Sequence, residues 1–277
     1  TQISPLPFIS LIYSISKLCR GFNPDVVHCF THKGCIAGAL AIFLSRSKKA
    51  RVIFTITGLG RIFTSNGLVN IVLRQLITKL YLFLCLRTYR VFFQNPDDAE
   101  LFKHRCRLDE KKIIIVGGSG IDLEKINTSS TYKLDIKSAP INKSIEFKEG
   151  QTMVLMLGRG MIEKGFFEYY QAAKFISELF PDKYLFVHAG YIDEEVLSRI
   201  DDRSIESFAS SHVVKFLGFR QDSAALLSYS DIVTHPSYYR EGVPRSLIEA
   251  LAMDKAIITC DTIGNRETLI DGWNGFF

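Results

Sequence analysis

The chain has 277 residues, of which 47% are hydrophobic and 23% charged. That is enough apolar material for one large or two medium domains, and it excludes collagen-like, disordered and low-complexity chains. A net charge of +5 permits attraction to anionic lipid or nucleotide phosphates but gives no sign of nucleic acid as a partner.

The six cysteines, at 19, 29, 35, 85, 106 and 260, contain no Cys-x-x-Cys pair. This argues against a zinc site or a disulfide framework and for a reducing compartment. No uncharged apolar run reaches the roughly 18 residues of a membrane span. Residues 1–16 are uncharged but contain two prolines and no basic start, unlike a signal peptide. Asn127 and Asn142 begin Asn-x-Ser triplets, a pattern common by chance. Without an initiator Met, the sequence reads as a piece of something longer.

In chain order, residues 8–20 have a helical pattern that ends at Lys17, Arg20 and Gly21. Asn23-Pro24-Asp25 is a turn, followed by an apolar strand at 26–30. A small-residue helix over 34–44 precedes a second strand at 51–56, closed by the glycine turn Thr57-Gly-Leu-Gly60. A long apolar helix over 68–87 carries Arg74, Lys79 and Arg87. Strands at 91–93 and 112–116 flank a short helix opened by Pro96. Alternating apolar runs and helices indicate a parallel sheet covered on both faces.

Residues 122–150 are polar and lack an apolar period, so they read as a connection between domains. The rhythm then resumes. Strands are expected at 153–157, 184–189, 213–217, 232–234 and 256–259, with helices at 165–179, 193–207, 222–229 and 244–253. The expectation is an α/β chain with two Rossmann-like domains: 1–121, then 122–150 as linker, then 151–277. Ligands of such sheets lie in clefts at strand ends.

Three stretches carry chemistry. Glu241-Gly-Val-Pro-Arg-Ser-Leu-Ile-Glu249 sets two carboxylates eight residues apart around a Pro suited to a first helical turn. Glu241 is expected before the helix and Glu249 two turns inside it, with the first-turn amides as an anion cradle. The same stretch would also suit an ordinary amphipathic helix after a surface loop. Gly158-Arg-Gly-Met-Ile-Glu-Lys-Gly165 follows a strand and opens a helix. Its Arg159 fork and Lys164 point charge suit a diphosphate, although a solvated basic loop would look alike. It is not a Walker loop. The chain has no Asp-x-Asp pair, so the two cations stand where a metal would otherwise neutralise the diphosphate.

With Phe216-Leu-Gly218, residues 231–237, residues 261–264 and Asp271-Gly-Trp-Asn-Gly275, these motifs resemble the donor domain of glycosyltransferase family 4 across 153–277. Pro24-Asp-Val-Val-His28 and Gly118-Ser-Gly-Ile-Asp122 match comparable segments of the first half. The Thr57–Gly60 turn is similar to bacterial members that extend lipid-linked surface polysaccharides such as O-antigen.

The resemblance implies a GT-B fold and a metal-independent transferase that retains anomeric configuration and needs no cofactor. The donor is expected to be a nucleotide-diphosphate sugar, read as UDP-linked, and the acceptor a polyprenyl-diphosphate-linked glycan. By this analogy Arg159 and Lys164 hold the donor diphosphate and Glu241 meets the sugar, these three forming the catalytic set. Glu249 meets the ribose hydroxyls. Gly158 and the stretch Gly242, Val243, Pro244, Arg245, Ser246 and Leu247 line the donor phosphates, and Arg220 lies beside the base.

Gly58, Leu59, Gly60 and His28 are the acceptor-side candidates, with Ile62 and Phe63 beside them. Many members carry a His at the strand end occupied here by Thr57-Gly58; this chain has none there, and a lone His such as His28 or His32 is more often structural. Relative to the family the sequence is expected to be truncated at both ends, lacking an opening strand and glycine loop and a closing helix. A cytoplasmic location is implied, with the basic, apolar 68–93 stretch read either as a buried Rossmann helix or as a contact with the membrane's inner face. The competing readings are a nucleotide-sugar epimerase or hydrolase on the same scaffold, and a non-catalytic nucleotide-sugar-binding fragment.

Overall fold

The computed structural model describes residues 5–47, 49–60, 63, 67–124, 126, 148, 150–193 and 213–277. The acidic helix expected over 193–207, Ile62, both Asn-x-Ser triplets and nearly all of the 122–150 connection lie outside the described residues. The chain divides into two compact units: Thr1–Ser119 with Arg240–Val243, and Gly120–Tyr239 with Pro244–Phe277.

In the first unit, β1 (Val26–Phe30), β2 (Arg51–Ile56), β3 (Thr88–Phe93) and β4 (Ile113–Ile115) form a parallel sheet in the order β1-β2-β3-β4. Parallel neighbours need crossovers. These are α2 (Thr31–Ser45), α3 (Leu68–Arg87) and α4 (Pro96–Arg105), and α1 (Pro5–Phe22) packs on α2 through Ile12, Ala37 and Ala41. Small residues bring α2 close to the sheet, since a Cβ on Gly38 would strike the Cys29 sulfur.

Helix α4 begins where the sequence says it should. Asn95 caps it by accepting from the Asp98 amide at 2.8 Å, Pro96 occupies the first turn, and Lys103, His104 and Arg105 face the negative end of the dipole. Phe54, Tyr81, Phe93 and Phe102 interlock edge-on at the centre, with ring centroids 4.9 Å apart for Tyr81–Phe102 and 5.2 Å for Phe93–Phe102.

Helix α3 departs from the buried-helix reading. Only Tyr81, Leu84 and Cys85 are buried, whereas Leu68, Val69, Val72, Leu73 and Leu76 stand exposed. By length and composition its 20 residues are apolar enough to cross a membrane. Here, however, α3 links two adjacent parallel strands, β2 and β3, and so must return along the sheet. Its last turns carry the packing, and its first half presents apolar side chains outward.

The second unit holds a six-stranded parallel sheet in the order β10-β9-β8-β5-β6-β7. Its strands are β5 (Thr152–Leu157), β6 (Tyr184–Ala189), β7 (Val214–Phe216), β8 (Ile232–His235), β9 (Ala256–Thr259) and β10 (Gly275–Phe276). Its helices are α5 (Phe166–Leu179), α6 (Ser223–Tyr229) and α7 (Arg245–Leu251). Met153, Leu155, Val187, Val233, Leu247 and Ile257 fill the core. The buried Tyr169 hydroxyl lies 2.9 Å from the carbonyls of Val154 and of Val187 on adjacent strands. Buried Lys255 donates to the Ser228 and Ser230 carbonyls, which meets the requirement that an interior cation be hydrogen-bonded.

From β5 the chain adds β6 and β7 on one side, then returns to place β8, β9 and β10 on the other. The order therefore reverses between β5 and β8. In open parallel sheets the crevice outside the carboxyl ends at such a point is where ligands bind.

Candidate functional site

The loop leaving β5 at that reversal is Gly158 to Gly165, which carries the two cations singled out from the sequence. Glycine is required at both ends. Gly158 has φ +147°, and Gly165 has φ +75° with the Pro236 ring where a Cβ would come within 2.6 Å. The loop leaving β8 is tied to it, with Tyr238 and Tyr239 amides donating to the Glu163 carbonyl at 2.9 and 3.0 Å.

From the strand side, His188 Nε2 lies 3.0 Å from the Gly158 carbonyl. The acceptor requires the protonated Nε2 tautomer, and burial depresses the ring's pKa, against the opposing effect of the Gly158 bond, keeping it neutral. Arg159 is exposed and Lys164 partly so, both on a loop that is braced at each end. Fixed positive groups at the carboxyl end of a strand are suited to stabilising an anion that gains charge during reaction.

Around this loop sit residues the sequence reading did not identify. Gly190 donates to the Gly218 carbonyl at 2.8 Å, drawing the loops after β6 and β7 together. These loops carry Tyr191 and Phe219, whose rings stack with centroids 5.0 Å apart and planes 3° apart, both well exposed. Arg220 follows directly and is held by a two-point ion pair to Asp222, at 2.8 and 2.6 Å. That hydrogen bond lowers the Asp222 pKa. An aromatic pair beside a fixed guanidinium is a surface on which a flat heterocycle can rest. The sequence signal was Phe219 directly ahead of Arg220, but the pairing with Tyr191 required the sheet.

Helix α7 begins at Arg245, with Pro244 at its N-cap. Arg245 Nε pairs with Glu249 Oε1 at 2.8 Å across one helical turn. Arg245 thereby restrains the Glu249 carboxylate. Leu247 packs in the core, its amide bonded to the Pro244 carbonyl at 3.1 Å; Ser246 lies in the first turn of α7.

Glu241 and Gly242 belong with the first unit. The Gly242 amide donates to the Thr57 carbonyl at 2.9 Å, and the Gly60 amide to the Arg240 carbonyl at 2.7 Å, so two backbone bonds bracket Glu241. The structure thus brings Glu241 onto the Thr57–Gly60 turn, two features the sequence reading had kept apart. Two further expectations change here. The Val243 amide, expected at a phosphate, donates to Gln94 Oε1 at 3.1 Å. Leu59, expected at an acceptor entrance, is 1% exposed and lies in the core of the first unit.

His28 lies exposed on β1, its Nε2 2.7 Å from Thr55 Oγ1. His32 is enclosed by Phe63, Tyr81 and Phe102. Its Nδ1 is 3.0 Å from the Tyr81 hydroxyl, and burial pushes its pKa down to about 4. Among the described residues no group of three His, Cys, Asp or Glu side chains is placed to hold a metal ion.

Residues 137–277 match the family model for glycosyl transferases group 1, and residues 1–95 that for glycosyl transferase 4-like proteins. The chain is 29% identical over 283 residues to the N,N'-diacetylbacillosaminyl-diphospho-undecaprenol alpha-1,3-N-acetylgalactosaminyltransferase of Campylobacter jejuni, covering all of this chain and 69% of that one. It is 25% identical over 282 residues to the capsular polysaccharide biosynthesis glycosyltransferase CapM of Staphylococcus aureus, covering 98% of this chain and 68% of the other. It therefore spans about two thirds of these relatives' length. Among solved structures, Anabaena HepE in complex with UDP superposes with a TM-score of 0.73 at 17% identity, over 96% of this chain and 67% of HepE. The architecture is that of the GT-B fold.

Proposed function

This chain belongs to the group 1 glycosyltransferases, and from that premise we propose that it moves a sugar from a UDP-linked donor to a lipid-linked glycan during surface-polysaccharide synthesis. The observation that carries the proposal is the braced Gly158–Gly165 loop, with Arg159 and Lys164 on it, at the strand-order reversal of the second sheet. Arg159 and Lys164 neutralise the departing diphosphate without a metal, and Glu249 takes the ribose hydroxyls. Tyr191, Phe219 and Arg220 lie beside the base, and the backbone around Ser246 meets the distal phosphate. Glu241 contacts the sugar.

The Campylobacter relative's name specifies an alpha-1,3 linkage and a diphospho-undecaprenol acceptor. An α-linked nucleotide donor handled with retention yields such a linkage, which supports retention here. The name of the Anabaena neighbour records bound UDP, which supports uracil as the base.

Association with the inner face of the cytoplasmic membrane is part of the same proposal. It is supported by the outward apolar residues of α3 and by the adjoining cavity of about 380 Å³ lined by Arg74, Lys79 and Arg105 with no acidic residue. Positive charge beside exposed apolar surface suits an anionic bilayer.

The test is transfer of radiolabelled N-acetylgalactosamine from its UDP donor to N,N'-diacetylbacillosaminyl-diphospho-undecaprenol, in EDTA, with the product's anomeric coupling read by NMR. An α-linked disaccharide supports the proposal. Free sugar or an epimerised donor would identify a hydrolase or epimerase, and donor binding without turnover a binding fragment.

A further inference from the structure

The four residues Arg240–Val243 are held by the first unit through more than backbone contact. Arg240 Nε lies 2.8 Å from Asp98 Oδ1, with the carboxylate only 1% and the guanidinium side chain 18% exposed. Asp98 is fixed from its other side, where Asn95 Nδ2 donates to Oδ2 at 3.2 Å within the cap of α4. Gln94, at the carboxyl end of β3, accepts from the Val243 amide through Oε1 and donates from Nε2 to Ser119 Oγ at 2.8 Å.

Two glycines complete the socket. A Cβ on Gly242 would come 2.8 Å from both Gln94 Cδ and the Thr57 carbonyl oxygen. A Cβ on Gly58 would come 2.5 Å from the Glu241 carbonyl carbon. The residue held in the middle is Glu241.

We propose that Asp98, Arg240 and Gln94 form an anchor that fixes the conformation of residues 240–243 on the carboxyl ends of β2 and β3, and are positioning residues for Glu241. A carboxylate this dry is tolerated only with a hydrogen-bonded cation, and Arg240 supplies one to a helix terminus whose own cap already orients Asp98. The arrangement makes the four-residue loop a segment defined at both ends by side chains and in the middle by backbone. Sugar-contacting groups lose rate steeply when displaced by about 1 Å, so removing the anchor lowers turnover while the diphosphate contacts on Arg159 and Lys164 stay intact.

This inference rests on the reading of Glu241 as the sugar contact, and the experiment separates the two. Hydrogen exchange at the Gly60, Gly242 and Val243 amides is measured in the wild type, Asp98→Asn, Arg240→Gln and Arg240→Lys. The kcat for the transfer described above and the Kd for UDP are measured alongside. Phe102→Leu, a core change in the same helix, serves as the stability control, and Glu241→Gln tests the premise.

The anchor predicts at least tenfold faster exchange at Gly242 and Val243 and at least a tenfold fall in kcat for Asp98→Asn and Arg240→Gln, with UDP affinity within threefold. Arg240→Lys recovers part of both, and Phe102→Leu lowers the melting temperature yet keeps kcat. Unchanged exchange in the Asp98 and Arg240 variants overturns the anchor whatever the activity. An equal fall of kcat in Phe102→Leu reduces the pair to a stabilising role and overturns the positioning claim. Full kcat in Glu241→Gln removes the premise, leaving exchange alone to judge the anchor.

Discussion

Replacing Gly58 by Ala probes the turn on which Glu241 rests. Gly58 has φ +120°, a conformation that costs a residue with a Cβ roughly 1–3 kcal/mol. The added methyl would also lie 2.5 Å from the Glu241 carbonyl carbon and 2.7 Å from its Cα, both backbone atoms that cannot rotate away. Relief demands a shift of the packed segment, for which overpacking in folded interiors indicates about 1–3 kcal/mol more. The first unit should therefore lose roughly 2–6 kcal/mol.

Native-state hydrogen exchange at the β2 and β3 amides reads that unit by itself, and the Gly242 amide reads the local displacement. Gly120→Ala, in the second unit and read at the β5 and β8 amides, is the comparison: φ is +72° with nothing within 4 Å of the added atom, so only the conformational cost of about 1–2 kcal/mol applies. A Gly58→Ala protein as stable as wild type, with its Gly242 amide still protected, would refute the close approach on which this reasoning depends.

Gly190→Ala should be as damaging in the second unit. Its φ is +157° and a Cβ would strike the Gly158 carbonyl, 2.5 Å from its carbon, so the variant should weaken UDP binding as well as stability, measured by calorimetry. His32 predicts an acid-sensitive first unit. Its pKa is pushed down to about 4 by burial, so the folded chain binds fewer protons than the unfolded chain between pH 4 and 6.5. Stability is complete above pH 6.5 and falls as pH drops towards 4, by at most about 3 kcal/mol. His32→Gln should flatten that slope in urea titrations.

Much of the fold was legible because parallel α/β units write themselves twice, once in apolar runs and once in helix punctuation. Pro96 announced α4, and the β-branched and aromatic runs placed β2, β6 and β9 at 51–56, 184–189 and 256–259. Helix α3 stayed open between burial and a membrane contact because composition does not say which face of a crossover helix finds a partner. The two-residue β10 carries too little pattern to be seen.

Arg159 and Lys164 were legible as a cationic loop after a strand because one short stretch contains both. The candidate site was not legible where contacts span long separations. Asp98 and Arg240 are 142 residues apart, and in sequence the first looked only like a helix opener. Val243 looked like a phosphate donor because helix starts usually leave such amides open, yet Gln94, 149 residues away, takes its hydrogen bond. Arg245 and Glu249 show the converse, since their four-residue spacing foretold a helical ion pair that the donor-site reading passed over.

Arg159 and Lys164, proposed to hold the donor diphosphate, offer the most direct test. Calorimetric titration with UDP, GDP and ADP in EDTA, on the wild type and on Arg159→Ala/Lys164→Ala, provides it. Each charge-assisted contact contributes about 1.5–3 kcal/mol, so UDP affinity should fall at least about a hundredfold in the double variant while the fold is retained. Unchanged UDP affinity in that variant would contradict the diphosphate site, and equal binding of all three nucleotides would contradict the uridine donor.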